Sequence, residues 1–230
     1  MWKTRTGPSA TAPLIDSSHQ RAIVGSTDGR LTALDLAGGS IAWQIDSGAP
    51  ILTSPALSSD GSLVFFANES VRAVAVNASN GNAVWSTSLQ GMSLADRYPV
   101  VAGSTVLYRS QPVHFFHTLL HEGDSTMDAA GTRLSDWAAD WAAVRPRIVS
   151  YLSADPTKAT FFALSASNGT SRGTVPVLYT YGNNDIPNVP VIRGAMAYVT
   201  YRARHGIQTH GGAAPAAISV PAPFSTATPP

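Results

Sequence analysis

The stretch His114-Phe-Phe-His117-Thr-Leu-Leu-His121 places three histidines at helical spacing. On a helix all three share one face and could hold Zn²⁺ or Cu²⁺. A partly buried strand or helix face with hydrogen-bonded imidazoles meets the same spacing. A metal centre also needs groups that orient its imidazoles, and only Glu122 and Asp124 lie close in sequence. His114, His117 and His121 are therefore metal candidates on spacing alone. Asp136 and Asp140 sit beside Trp137 and Trp141, a pattern for ligand stacking or for the apolar face of a helix. Asp28, Asp35 and Asp60 fall at turn positions, where Asp bonds its own backbone. With no Cys in the chain, thiolate chemistry is excluded. No phosphate loop and no GxSxG elbow occurs, so no catalytic residue is assigned. Asn68, Asn77 and Asn168 open glycosylation sequons, two of them on turns that favour Asn anyway.

The elements that would position such groups come from a repeat. Trp43 and Trp85 end two copies of one pattern, 42 residues apart. At that offset Arg30 matches Arg72, Leu34 matches Val76, Asp35 matches Asn77 and Gly39 matches Gly81. Trp2 precedes Trp43 by 41, so it reads as the end of a blade whose earlier strands are absent. Short apolar runs such as Ala22-Ile-Val24 and Leu63-Val-Phe-Phe66 are separated by Asp28-Gly29 and Ala78-Ser-Asn-Gly81 turns. A period of about 40–45 residues built from short strands is the mark of a propeller blade.

A third blade opens at Pro99-Val-Val-Ala-Gly103, and its later half appears only at Phe161-Phe-Ala-Leu164 through Gly169. About one blade's length of sequence is inserted between them, or a degenerate blade lies there. A fourth opening at Pro190-Val-Ile-Arg-Gly194 follows Pro99 by 91. Leu134, Trp137, Ala138, Trp141 and Val144 recur at helical spacing, with Ser135 as N-cap and Pro146 as stop. A helical excursion over about residues 110–156 is expected, peripheral to the blades. The Ala/Pro-rich tail, residues 211–230, is expected to be disordered. The blades thus span 1–210.

Composition agrees with a turn-rich all-β protein: 230 residues, 44% hydrophobic, 13% charged, 19 Gly and 16 Pro. A net charge of +1 without a basic run gives no nucleic-acid footprint. No apolar run reaches the roughly 18 residues of a membrane span. Met1-Trp-Lys-Thr-Arg5 lacks the apolar core of a signal peptide.

Asp28-Gly-Arg-Leu-Thr-Ala-Leu-Asp35 followed by Gly39 and Trp43 resembles the repeat of the pyrroloquinoline-quinone (PQQ)-like, quinoprotein alcohol dehydrogenase-like propellers, D-G-x-L-x-A-L-D-x-x-x-G-x-x-x-W. The second copy keeps Ala75, Val76, Gly81 and Trp85. The third keeps Ala163, Leu164 and Gly169, with Thr174 near the Trp position. The resemblance implies an all-β propeller of four-stranded blades, here a partial array. In it Trp2, Trp43 and Trp85 dock between blades, and Gly39, Gly81 and Gly169 close hairpins. PQQ and Ca²⁺ are cofactors by resemblance only, and a periplasmic or extracellular location is implied in the same way. The expected function is a non-catalytic repeat scaffold that binds protein; the alternative is a fragment of a PQQ-dependent dehydrogenase. Open blade faces are expected to make the chain self-associate, unless Trp2-Lys-Thr-Arg5 completes the blade begun at Pro190.

Overall fold

The computed structural model describes residues 1–8, 11–91, 93–95, 98–110 and 161–173, and the backbone of 174, 191–193, 196–203 and 212–219. The expected helical excursion, its Trp137 and Trp141, and the candidate ligands His114, His117 and His121 lie outside the described residues.

The described chain is all-β, and its strands form antiparallel sheets in sequence order. The first contains β1 (Leu14–Asp16), β2 (Arg21–Gly25), β3 (Arg30–Asp35) and β4 (Ile41–Asp46). The second contains β5 (Ala56–Leu57), β6 (Leu63–Asn68), β7 (Arg72–Asn77) and β8 (Ala83–Ser88). The third contains β9 (Val100–Ala102), β10 (Thr105–Arg109), β11 (Phe161–Ser165) and β12 (Ser171–Thr174). The split third blade expected from sequence is therefore one sheet, with Val106 opposite Leu164. A three-stranded sheet follows, of β13 (Val191–Arg193), β14 (Met196–Ala203) and β15 (Gly212–Ser219).

Two expectations change in the last sheet. Gly212–Ser219, read from composition as part of a disordered tail, is a strand paired with β14 along its whole length. Its Pro215 is compatible with an edge strand, where a missing N–H need not break the ladder. Residues 1–6 carry no strand pairing, so Trp2-Lys-Thr-Arg5 does not complete this sheet within the chain.

Sheet packing follows from alternation along the strands. Ile23, Leu31, Ala33 and Trp43 of the first blade meet Val64, Phe66 and Val76 of the second. On the other face of the second blade, Phe65, Ala73, Ala75 and Trp85 meet Val106, Tyr108, Phe162 and Leu164. Phe65 and Trp85 pack with ring centroids 5.9 Å apart. Both faces of each central strand are covered, which explains the near-continuous apolar runs seen in sequence.

The β2–β3 and β6–β7 turns show what the repeat preserves. Gly29 has φ +89, donates to the Ser26 carbonyl and accepts from Ser47 N–H. Val71 stands at the same place in the second blade, with φ +55 and matching bonds to Asn68 and Leu89. A β-branched residue in the left-handed region is strained. Relief of about 1–2 kcal/mol in Val71→Gly should offset the lost packing of this half-buried side chain. We expect a net change below about 1 kcal/mol in denaturant melts, against about 2 kcal/mol or more for Val76→Ala, whose side chain is fully buried.

Candidate functional site

The best-defined constellation is a dock between blades, repeated three times. The β3–β4, β7–β8 and β11–β12 pairings each shift register at one place, opposite Ala33/Leu34, Ala75/Val76 and Ala163/Leu164. Between the paired strands the chain turns through Gly39, Gly81 and Gly169, at φ +71, +76 and +69. Each of these Gly N–H groups donates over 2.8 Å to the carbonyl four residues earlier, of Asp35, Asn77 and Ser165. The left-handed conformation selects Gly, and so does the space. A Cβ on Gly81 would lie 2.8 Å from the Trp43 ring, and on Gly169 2.6 Å from the Trp85 ring. At Gly39 it would collide with Trp2.

Each indole also donates one hydrogen bond to the turn it covers. Trp2 Nε1 bonds the Leu36 carbonyl at 2.9 Å, Trp43 the Ala78 carbonyl at 3.0 Å and Trp85 the Ala166 carbonyl at 2.8 Å. The sequence separations are 34, 35 and 81 residues. The third exceeds the second by 46 (81 − 35), which measures the insertion between β10 and β11. Two residues on from Trp2 and Trp85, Thr4 and Thr87 donate to the Gly39 and Gly169 carbonyls. Ile45, in the matching place, packs on Gly81. All six repeat residues named from sequence are thus brought together in pairs. In the third blade the Trp position falls one residue before Thr174. Gly173 pairs with Ala163 as Trp43 pairs with Ala33, so Gly173 occupies the Trp position.

A second feature is the face formed by the β2–β3 and β6–β7 turns and the links between blades. Ser47 N–H donates to Gly29, Ile51 N–H to Ser26, Glu69 N–H to Pro50 and Leu89 N–H to Val71. Glu69 accepts from Ser93 Oγ at 2.6 Å and from Leu94 N–H at 3.2 Å. The β10–β11 connection, with its additional residues, leaves the third blade at the same place in the repeat. Sequence reading missed the buried polar row behind this face. Ser26, Asn68 and Ser110 recur at 42 residues and are at most 1% exposed. Their spacing alone could have revealed them. Asn68 Nδ2 donates to the Ser47 carbonyl, so this sequon Asn is a structural tie between blades rather than an exposed acceptor.

The carboxylates have local employment. Asp16, fully buried, accepts from Ser18 and His19 N–H groups and lies 2.7 Å from His19 Nδ1. Asp35 accepts from Ala37 and Gly38 N–H, and Asp46 from Gly48 N–H. Asp28 is held below the usual carboxylate range by the Ser26 hydroxyl, with help from Arg30. The Ser58 hydroxyl and the Ser62 N–H and hydroxyl lower Asp60 to about 2. A carboxyl whose folded pKa is depressed stabilises the fold above its unfolded value, and loses that contribution as pH falls through the folded one. For Asp60 the window runs from 3.8 down to about 2. We expect Asp60→Asn to flatten the acid limb of stability in that window. Thermal melts at closely spaced pH values would show it; an unchanged limb would remove Asp60 from the acid response.

Among the described residues no group of three or more His, Asp or Glu is placed to hold a metal ion. No described helix is long and apolar enough to cross a membrane.

A family model described as "Outer membrane protein assembly factor BamB" matches residues 1–175. Among solved structures, BamB from Moraxella catarrhalis is similar, with a TM-score of 0.51 and 16% identity. The match covers 83% of this chain and 46% of that one, so the chain spans less than half the length of that relative. The computationally designed Ika4 protein is similar at a TM-score of 0.51 and 7% identity, over 96% of both chains. At these identities the likeness is one of fold. No curated protein matches the chain.

Proposed function

The chain belongs to the PQQ-like repeat propellers of the BamB family, and on that premise we propose that it is a non-catalytic scaffold that binds another protein. The observation that carries this reading is the wall formed by the innermost strands. β1 lies against β5 and β5 against β9, as the inner strands of neighbouring blades do. Apart from Asp16, whose carboxylate is taken up by Ser18 and His19, they carry only aliphatic residues, Leu14-Ile15, Ala56-Leu57 and Val100 to Ala102. A PQQ–Ca²⁺ centre needs oxygen ligands and a carboxylate base. The described carboxylates Asp16, Asp28, Asp35, Asp46 and Asp60 bond their own turns, and Glu69 holds Ser93 and Leu94. The described residues therefore do not fit that centre. The knitted turn face offers instead a preformed surface, from which the long β10–β11 connection departs. BamB is described as an outer membrane protein assembly factor, a role compatible with protein binding.

Two measurements test the reading. With PQQ, Ca²⁺, an artificial electron acceptor and an alcohol or sugar, no dye reduction is expected; stoichiometric PQQ binding with dye reduction would replace the scaffold by the dehydrogenase. A protein partner captured by the immobilised chain should be lost on Thr27→Arg or Ser70→Arg at the turn face. Capture that ignores both changes would move the binding surface elsewhere.

A further inference from the structure

We propose that Asn80 and Asn168 are sites of spontaneous conversion to aspartyl and isoaspartyl residues, and that the conversion unseats the indole of the preceding blade. Each is exposed and stands directly before the turn glycine of a blade seam, Gly81 or Gly169. Asn80 Oδ1 accepts from Asn82 N–H at 2.9 Å. Asn168 Oδ1 accepts from Thr170 N–H at 3.1 Å and from the Thr170 hydroxyl at 2.8 Å. A side chain bonded two residues ahead lays its carboxamide over the peptide nitrogen between, here that of the glycine. Glycine has no Cβ to shield that nitrogen. The donors on Oδ1 stabilise the negative charge that forms there when Cγ is attacked. The glycine nitrogen, its proton lost to solvent base, attacks Cγ; the carboxamide nitrogen takes up a proton and leaves as ammonia, closing a five-membered imide. Water then adds to either imide carbonyl and breaks its bond to nitrogen. One opening gives an aspartyl residue. The other routes the main chain through the former side chain, an isoaspartyl link. One water is consumed and one ammonia released, with no oxidant or reductant.

Other asparagines of the blades provide the contrast. Asn77 Oδ1 takes the same pair of donors, Ser79 N–H at 2.9 Å and the Ser79 hydroxyl at 2.6 Å. The nitrogen beside it belongs to Ala78, which is fully buried, carries a Cβ and donates to the Ser62 carbonyl. Asn68 is 1% exposed and tied to Ser47. At the reactive sites the brake is the turn itself. Gly81 and Gly169 N–H donate to the Asn77 and Ser165 carbonyls, so conversion proceeds from the fraction of chains in which that turn has opened. The product acts on the seam because an isoaspartyl link adds a methylene to the main chain just before the glycine. A single Cβ on Gly81 would already lie 2.8 Å from the Trp43 ring, and on Gly169 2.6 Å from the Trp85 ring, so a longer backbone has no room beneath either indole. The seam of Trp2 on Gly39 has Gly38 in the asparagine's place and is exempt.

The test is ageing of the purified full chain at mildly alkaline pH, followed by peptide mapping and isoaspartate-specific methyl labelling. Asn80 and Asn168 are expected to convert about tenfold faster or more than Asn77 and Asn68, with Asn168 ahead of Asn80. Thr170→Val, which keeps the N–H and removes the hydroxyl, should slow Asn168 to the rate of Asn80. The aged chain should melt at lower denaturant, while an Asn80→Ser/Asn168→Ser chain aged beside it keeps its midpoint. Absence of conversion at Asn80 and Asn168, or conversion no faster than at Asn77, overturns the proposal. An Asn168 rate indifferent to Thr170→Val removes the hydroxyl from the reaction, and a converted chain with an unchanged midpoint severs the modification from the seam.

Discussion

Trp43→Ala and Trp85→Ala are each expected to destabilise the chain by about 3–5 kcal/mol, the range for deleting a large buried aromatic. Both side chains are below 10% exposed, at 7% and 8%. Each fills the seam between two blades, so its loss opens a cavity lined by residues of both. Removing the indole also strips the Ala78 or Ala166 carbonyl of a donor in a buried setting, which adds to the cost. Since a small domain is stable by only about 5–15 kcal/mol, either change should remove a large share of the total. Hydrogen exchange gives the sharper readout. Trp43→Ala should expose amides of the first and second blades, and Trp85→Ala those of the second and third. Loss below about half a kcal/mol at both sites would mean that the blades are held by strand-face packing alone.

The repeat made this much readable in advance. Trp, turn Gly and the alternating strands obey local rules, and local rules write themselves into sequence at a fixed period. The 42-residue offset pairs Gly39 with Gly81 because a left-handed turn tolerates little else. The motif also resumes at Phe161-Phe-Ala-Leu164, which places the later half of the third blade beyond the insertion. What the pattern did not show is which blade each Trp serves. Trp43 ends the first blade but bonds the second, a relation that exists only when sheets stack.

Other features were hidden for different physical reasons. Val71 breaks the turn rule that Gly29 follows, so the sequence gives no hint of a left-handed residue there. The strain is borne by the bond that Val71 N–H gives to the Asn68 carbonyl and the one its own carbonyl accepts from Leu89 N–H, which the whole hairpin maintains. Gly173 stands where a Trp ends the other blades, one residue before Thr174, because the sequence pattern does not fix register to one residue. β15 was unreadable because Ala, Pro and Gly have little strand propensity; its pairing with β14 is a tertiary effect. The chemistry suggested by His114, His117 and His121 belongs to the β10–β11 connection, outside the described blades.

Gly81→Ala supplies the second large effect, and its partner mutation isolates the cause. Two penalties coincide at this residue. A left-handed backbone costs an L-residue about 1–2 kcal/mol, and the new methyl would sit 2.8 Å from the Trp43 ring, so the indole must leave its seat. We expect a loss of about 3 kcal/mol or more, since displacing the ring forfeits part of the packing that Trp43→Ala removes outright. In a Trp43→Ala background the ring is absent, the methyl enters vacated space and only the backbone penalty remains. Gly81→Ala should then cost about 1–2 kcal/mol. The double variant should therefore be less destabilised than the sum of the two single changes, with a coupling of about 1–3 kcal/mol. Denaturant melts of the four proteins decide it. Additive losses would show that Gly81 serves its turn alone and that the fit of indole on glycine is incidental to the blade seam. Coupling of that size would identify the Trp–Gly contact as the unit by which one blade holds the next.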